Sequence, residues 1–233
     1  MKVNISGITN EEELLQTIKL GCDNIGLKVG QLNRAKDFIL LSTAQRLALK
    51  SLAFCPTFII TEYSDINEVL DLAKNSQSKT IELHGIFSLQ EIALLRKNIA
   101  TDVKLVFYIK LNDKLDIEFL KEFYPYIDAV TLDISHDDLS LLDLNEERSL
   151  EFIQAFIQAS LIPVIIKGLN TPITLEATLN IIKPFAVSLD YDKLITEFTV
   201  DKQIDYKEIY NFIKNLKNFP STIPEKFYFN SQR

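Results

Sequence analysis

At 233 residues, 47% hydrophobic and 24% charged, the chain is long enough for one domain with a large core and an ordinarily polar surface. Its net charge of −7 and pI near 5.0 come with no basic cluster, which argues against nucleic-acid binding. No apolar run reaches the roughly 18 residues of a membrane helix, and the opening MKVNISGITNEEE lacks the apolar stretch of a secretion signal, so no membrane partner and a cytoplasmic location are expected.

Along the chain, β-branched runs alternate with helical patterns. Val3–Ser6 predicts a first strand. Asn10 then caps a helix with Leu14, Leu15 and Ile18 on its apolar face; Glu13 stands three residues after the cap, the spacing of a capping box, and Gly21 ends the helix. Asn24–Val29 predicts strand two, and a helix starting at Ser42 turns Leu47, Leu49 and Leu52 inward. Strand three is Thr57–Thr61 and helix three Ile66–Ala73; strand four is Thr80–His84, followed by a helix from Leu89 to Arg96. Lys104–Ile109 predicts strand five, with helix five near Ile117–Phe123. Ala129–Asp133 predicts strand six and Glu147–Ala159 helix six. Pro163–Ile166 and Thr174–Ile182 form the seventh pair, Ala186–Leu189 and Tyr206–Leu216 the eighth.

Eight strand–helix pairs without a linker predict a parallel sheet with helical crossovers. Eight repeats in a domain this short favour a closed, single-domain (β/α)8 barrel over residues 1–217; the pattern alone leaves an open doubly wound sheet as the alternative. Residues 218–233 follow as a tail whose aromatic run is expected to pack on the barrel or on a partner. In a barrel the residues that end strands line the functional mouth. Here these are Ser6, Lys28, His84, Tyr108, Asp133, Lys167 and Asp190.

Cys22 and Cys55 lack metal-ligand spacing and read as buried thiols. With only His84 and His136, no multi-histidine metal site is expected, and no motif calls for a cofactor. His136, beside Asp137 and Asp138, reads as part of a solvated acidic loop. Six glycines are few for a barrel that grips phosphate on backbone N–H groups.

Four segments carry a resemblance. Val3-Asn4-Ile5-Ser6-Gly7-Ile8-Thr9 resembles an opening strand K-I-C-G-I-T, and Ile81-Glu82-Leu83-His84-Gly85 resembles V-Q-L-H-G at strand four. Val130-Thr131-Leu132-Asp133 resembles a strand-six end that presents an aspartate. Val164-Ile165-Ile166-Lys167-Gly168-Leu169-Asn170 resembles the phosphate turn V-I-L-A-G-G-L-N, and Lys183-Pro184-Phe185-Ala186-Val187 leads into strand eight in the same manner. Their order and spacing across the chain are similar to phosphoribosylanthranilate isomerase of tryptophan biosynthesis. That family catalyses an Amadori rearrangement: a general acid opens the ribose ring, and a general base removes the proton on C2. The resemblance implies an aldose–ketose isomerase of amino-acid biosynthesis, without cofactor, acting on a small molecule such as a sugar phosphate as a monomer or homodimer. It puts the acid at Asp133 and the base at Ser6, with Arg34, His84, Lys167, Gly168 and Asp190 toward the substrate.

The chain departs from the family where chemistry needs it most. The family base is a cysteine; a serine hydroxyl is far too weak an acid to serve as a resting base at pH 7 without a partner that takes its proton. His84 is the candidate partner on a nearby strand. The loop after strand six has no glycine, Lys167 replaces one in the next turn, and the strand-eight end reads Asp190-Tyr191-Asp192. A like-charge pair ~4 Å apart at an effective dielectric of ~20 repels by roughly 4 kcal/mol, so these carboxylates predict weak phosphate binding at best. Lys167 either offsets them or closes the site by pairing with Asp190. On structural readings alone, Ser6 is a polar strand end, Asp133 a loop cap, His84 a wall residue and Arg34 a solvent-exposed arginine. Three functions stand side by side: a divergent isomerase-like enzyme, an authentic isomerase that tolerates Ser6, and a non-catalytic binding or scaffold barrel.

Overall fold

The computed structural model of the chain describes residues 1–30, 36–111, 117–135, 147–168 and 172–224. In chain order the elements are β1 (Lys2–Ser6), α1 (Glu11–Lys19), β2 (Asn24–Val29), β3 (Phe38–Ile39), α2 (Leu41–Ser51), β4 (Thr57–Thr61), α3 (Ile66–Asn75), β5 (Thr80–Leu83) and α4 (Leu89–Asn98). There follow β6 (Lys104–Lys110), α5 (Ile117–Lys121), β7 (Ala129–Asp133), α6 (Glu147–Ala159), β8 (Val164–Lys167), α7 (Pro172–Ile182), β9 (Ala186–Asp190), α8 (Tyr191–Glu197), β10 (Thr199–Val200), β11 (Gln203–Ile204) and α9 (Tyr206–Asn218). All pairings between the barrel strands are parallel, and β1 pairs with both β2 and β9, so β1, β2 and β4 to β9 form a closed eight-stranded ring. β3 adds two residues beside the end of β2.

Period-two alternation divides the barrel wall into two faces. On the outer face Val3, Ile5, Leu27, Ile59, Ile81, Leu105, Val130 and Ile166 meet the helices in the main core. Inside, Val106, Ala129, Ile165 and Ala186 form a separate small apolar cluster. Above it the same alternation carries polar side chains toward the strand ends: Tyr108, Thr131 and Asp133, Lys167, Ser188 and Asp190. The interior is thus apolar at one level and charged at the next.

Capping sets the helix starts. Asn10 accepts from the Glu13 N–H at 3.0 Å, Asp65 from Asn67 at 2.7 Å, and Asp205 from Glu208 at 2.9 Å. Ser88 and Glu91 form a full capping box. The expected box at Asn10 forms differently, because the Glu13 carboxylate reaches past the cap to the N–H and hydroxyl of Thr9. In α2 the buried face is Ala44, Leu47, Ala48 and Ser51, so Leu49 and Leu52, expected inward, are exposed; the helix opens at Leu41. Leu15 likewise faces solvent, since α1 buries Leu14 and Thr17. A helix lying on a barrel needs only a narrow stripe, and leucines off that stripe stay wet.

Three features go beyond the sequence-based expectation: the short β3 beside β2, α8 directly after β9, and the β10–β11 hairpin that follows it. At the other end, the Met1 ammonium donates to the carbonyls of Lys217 and Phe219, both at 2.8 Å, tying the chain start to the end of α9. The Thr222 N–H donates to Lys183 O at 3.0 Å, and the expected aromatic run beyond Pro224 lies outside the described residues. Cys55 is buried and Cys22 half-buried, with sulfurs 3.8 Å apart.

Candidate active site

Strand register brings the chemistry-bearing residues to one end of the barrel. Ser6 stands beside Gly26 on β2 and beside Asp190 on β9; Asp133 on β7 stands between Lys110 and Lys167. Chain positions 6 and 190 become neighbours because the ring closes. All seven predicted mouth residues fall into two bonded groups at this end. Arg34, His136, Asp137 and Asp138 lie outside the described residues.

The first group spans β5, β6 and β7. Glu82 is 2% exposed, deep in the barrel. One of its oxygens pairs with His84 Nε2 at 2.6 Å and the other accepts from Thr131 Oγ1 at 2.7 Å. Burial disfavours its charge, yet the His84 contact and the Thr131 hydroxyl outweigh burial and hold the carboxyl below the usual glutamate range. The His84 ring stacks on Tyr108 with centroids 3.8 Å apart. Tyr108 Oη donates to Asp133 Oδ2 at 2.6 Å, and the Ser135 N–H donates to Asp133 Oδ1 at 2.8 Å. Burial, then Asp133, push the Tyr108 hydroxyl well above the ordinary tyrosine value, so it remains a donor. Gly168 permits this packing: it has φ +97°, and a Cβ there would lie 2.3 Å from Ser135 N and 2.7 Å from Asp133 Oδ1.

The second group spans β1, β2, β8 and β9. Lys28 pairs with Asp37 and, at 3.2 Å, with Asp190 Oδ1. Lys167 reaches the same oxygen at 3.6 Å. Ser6, fully buried, donates to it at 3.2 Å and makes a longer bond to Leu189 O at 3.4 Å. The partner of Ser6 is therefore Asp190, not His84. Burial opposes the charge on both Asp190 and Lys28. Lys167 and Lys28 outweigh it for Asp190, which is held below the usual carboxylate range; Asp190 and Asp37 outweigh it for Lys28, which is held above the usual lysine range. Of the two roles open to Lys167, pairing with Asp190 is the one present. Asp192 does not join it, lying exposed on the first turn of α8.

Two participants were missed in the sequence. Glu82 had a signal: it lies two residues before His84 on one strand, hence on the same face. Asp37 had none, since only the fold brings the stretch after β2 against Lys28. At the opposite end of the barrel a cavity of about 250 Å³ is lined by Asn4, Asn24, Phe58 and Ile165 among others. Barrel enzymes build sites at the strand C-termini, and the charged groups cluster there. Among the described residues no group of His, Cys, Asp and Glu is placed to hold a metal ion, and no helix is long and apolar enough to cross a membrane.

No family model matches the chain. Among curated proteins it is 24% identical to N-(5'-phosphoribosyl)anthranilate isomerase 2 of Methanosarcina mazei over 94% of this chain and 95% of that protein. It is 27% identical to N-(5'-phosphoribosyl)anthranilate isomerase of Thermotoga petrophila, over 93% and 98%. Among solved structures, phosphoribosylanthranilate isomerase of Thermotoga maritima superposes with a TM-score of 0.72 at 19% identity, covering 94% of this chain and all of that one. With His84, Asp133 and Gly168 placed at the barrel mouth, the chain is similar over nearly its whole length to phosphoribosylanthranilate isomerases.

Proposed function

We infer that the chain is an isomerase-like barrel enzyme acting on a small sugar derivative, with activity or substrate changed from that of its relatives. The observation that carries this reading is the split of the mouth. Asp133, the residue in the family's acid position, keeps an ordered place with both oxygens held. Ser6, in the base position, is spent on Asp190. A hydroxyl is a poor base, and its carboxylate partner, stabilised as an anion by two lysines, is reluctant to take a proton from it. The base term in such reactions contributes roughly 10²–10⁴-fold. The roles assigned to Ser6, His84, Lys167, Gly168 and Asp190 rest on their position around this mouth; Arg34 enters by its match to the family's carboxylate-binding residue alone.

The test is a fluorescence assay of phosphoribosylanthranilate consumption on the native chain, Ser6→Cys and Asp133→Asn. Native turnover well below the roughly 1 s⁻¹ of ordinary enzymes, a gain in Ser6→Cys and loss in Asp133→Asn are expected. Native turnover at or above that value would establish an authentic isomerase instead. Complementation of a tryptophan auxotroph lacking this isomerase measures the same activity in cells.

A further inference from the structure

Lys28, Lys167 and Ser6 come from three strands, and all three aim a polar atom at one oxygen, Asp190 Oδ1, at 3.2, 3.6 and 3.2 Å. Such convergence in a barrel mouth is what a bound anion receives. The carboxylate receiving it is also the N-cap of α8. An aspartate there ordinarily accepts from the backbone N–H two or three residues on. Asn10, Asp65, Ser88 and Asp205 all do so. Asp190 has the extended backbone of a cap, φ −86° and ψ 130°, yet its side chain makes no cap bond. Rotation about Cα–Cβ would carry its carboxylate from the lysines to the cap with the backbone in place.

We propose that Lys28, Lys167 and Ser6 form a binding site for the carboxylate of a small-molecule ligand, occupied in the free protein by Asp190, which turns onto the start of α8 when the ligand enters. Charge selects the ligand. Lys28 keeps Asp37 when Asp190 leaves, so two ammonium groups face one carboxylate and the cradle carries one net positive charge. A single negative charge neutralises it. A phosphate dianion would overshoot, in a place where the lysine side chains are only 14% and 10% exposed and uncompensated charge is costly. The inference rests on the reading that this mouth takes a small molecule and narrows it to one bearing a carboxylate.

The test titrates sodium acetate and sodium phosphate, at constant ionic strength, into the full chain, its Asp190→Asn variant, and Asp190→Asn combined with Lys28→Met or with Lys167→Met. Asparagine caps as well as aspartate but does not pair as an anion with lysine; Asp190→Ser, another good cap, serves if the asparagine variant does not fold. Followed by amide chemical shifts, Asp190→Asn binds acetate about tenfold tighter than the native chain, the gain expected on removing a competing carboxylate from the cradle. Either methionine removes that gain. Saturating the native chain with acetate slows hydrogen exchange at the Asp192 and Lys193 amides. Equal acetate affinity in the native chain and the folded variant, or a gain that survives both methionines, overturns the cradle. A larger gain for phosphate than for acetate overturns the carboxylate assignment, and unchanged exchange at both amides overturns the turn of Asp190. None of these readings uses turnover, so failure of the isomerase reading and failure of this one are separable.

Discussion

The two sides of the barrel mouth hold charge by opposite means. On β5 to β7 a single carboxylate, Glu82, lies 2% exposed with both oxygens bonded, and a ring stack and a tyrosine hydroxyl extend its order to Asp133. On β1, β2, β8 and β9 two lysines and two aspartates, with side chains 10–21% exposed, share ion pairs around one oxygen. The number of partners each charge has decides which side can change them. A charge with no route to water must keep its partner, because desolvation without compensation costs several kcal/mol. A cluster in which several charges share one oxygen can exchange one partner for a ligand or a rotamer, because the remaining partners still compensate the charge.

The largest effect is expected from His84→Leu, which leaves Glu82 buried against Thr131 alone. A loss of about 3 kcal/mol by urea unfolding is expected, with most of it recovered in Glu82→Leu/His84→Leu. Lys167→Met on the other side should cost less, because Lys28 still faces Asp190. Equal losses on the two sides would sink the distinction. Gly168→Ala comes next, at about 2 kcal/mol, since it puts a side chain at φ +97° against the Ser135 backbone. A compensating change of the Ser135 side chain would not restore wild-type stability, because the nearest clash, at 2.3 Å, is with its backbone nitrogen.

Acid acts on both sides. Glu82 and Asp190 are both held below their usual values in the folded chain. Their contributions are therefore fully present above the unfolded carboxylate values, about 3.9–4.3, and are lost as pH falls through the lower folded ones. Glu82→Gln and Asp190→Asn should each flatten the fall of unfolding free energy below about pH 4.3. Lys28 works in the other direction. Held above the usual lysine range, it stabilises below about pH 10.4, and that stabilisation fades as pH rises through its folded value. The smallest effect is Asp192→Asn, two residues from Asp190 but exposed on α8, with a change within about 0.5 kcal/mol in a thermal melt. A larger shift would mean that Asp192 shares the cluster.

Much of the barrel was legible because each strand obeys the same local rule. β2, β4 and β7 span the residues that local patterning assigns to strands, Asn24–Val29, Thr57–Thr61 and Ala129–Asp133. The helix faces were less legible. In α2 the spacing Ala44, Leu47, Ala48 and Ser51 marks the buried stripe, and a count of leucines misreads it as Leu47, Leu49 and Leu52. α8 is seven residues long, too short for periodicity to register, so the N-cap role of Asp190 was invisible in its sequence.

What the order of residues could establish was therefore what neighbours govern: alternation, caps, the number of strand–helix pairs, and the residue types gathered at strand ends. Who bonds to whom at those ends belongs to the folded ring. Ser6 meets Asp190 across 184 positions, Lys28 meets it across 162, and Glu82 finds Thr131 across 49. Local periodicity says that these side chains point inward, but their partners are set by register and closure, which put strands distant in the chain a few ångströms apart. The physical reason is burial: once closure withdraws the carboxylates of Glu82 and Asp190 from water, each must find the nearest donors, and those donors lie on other strands.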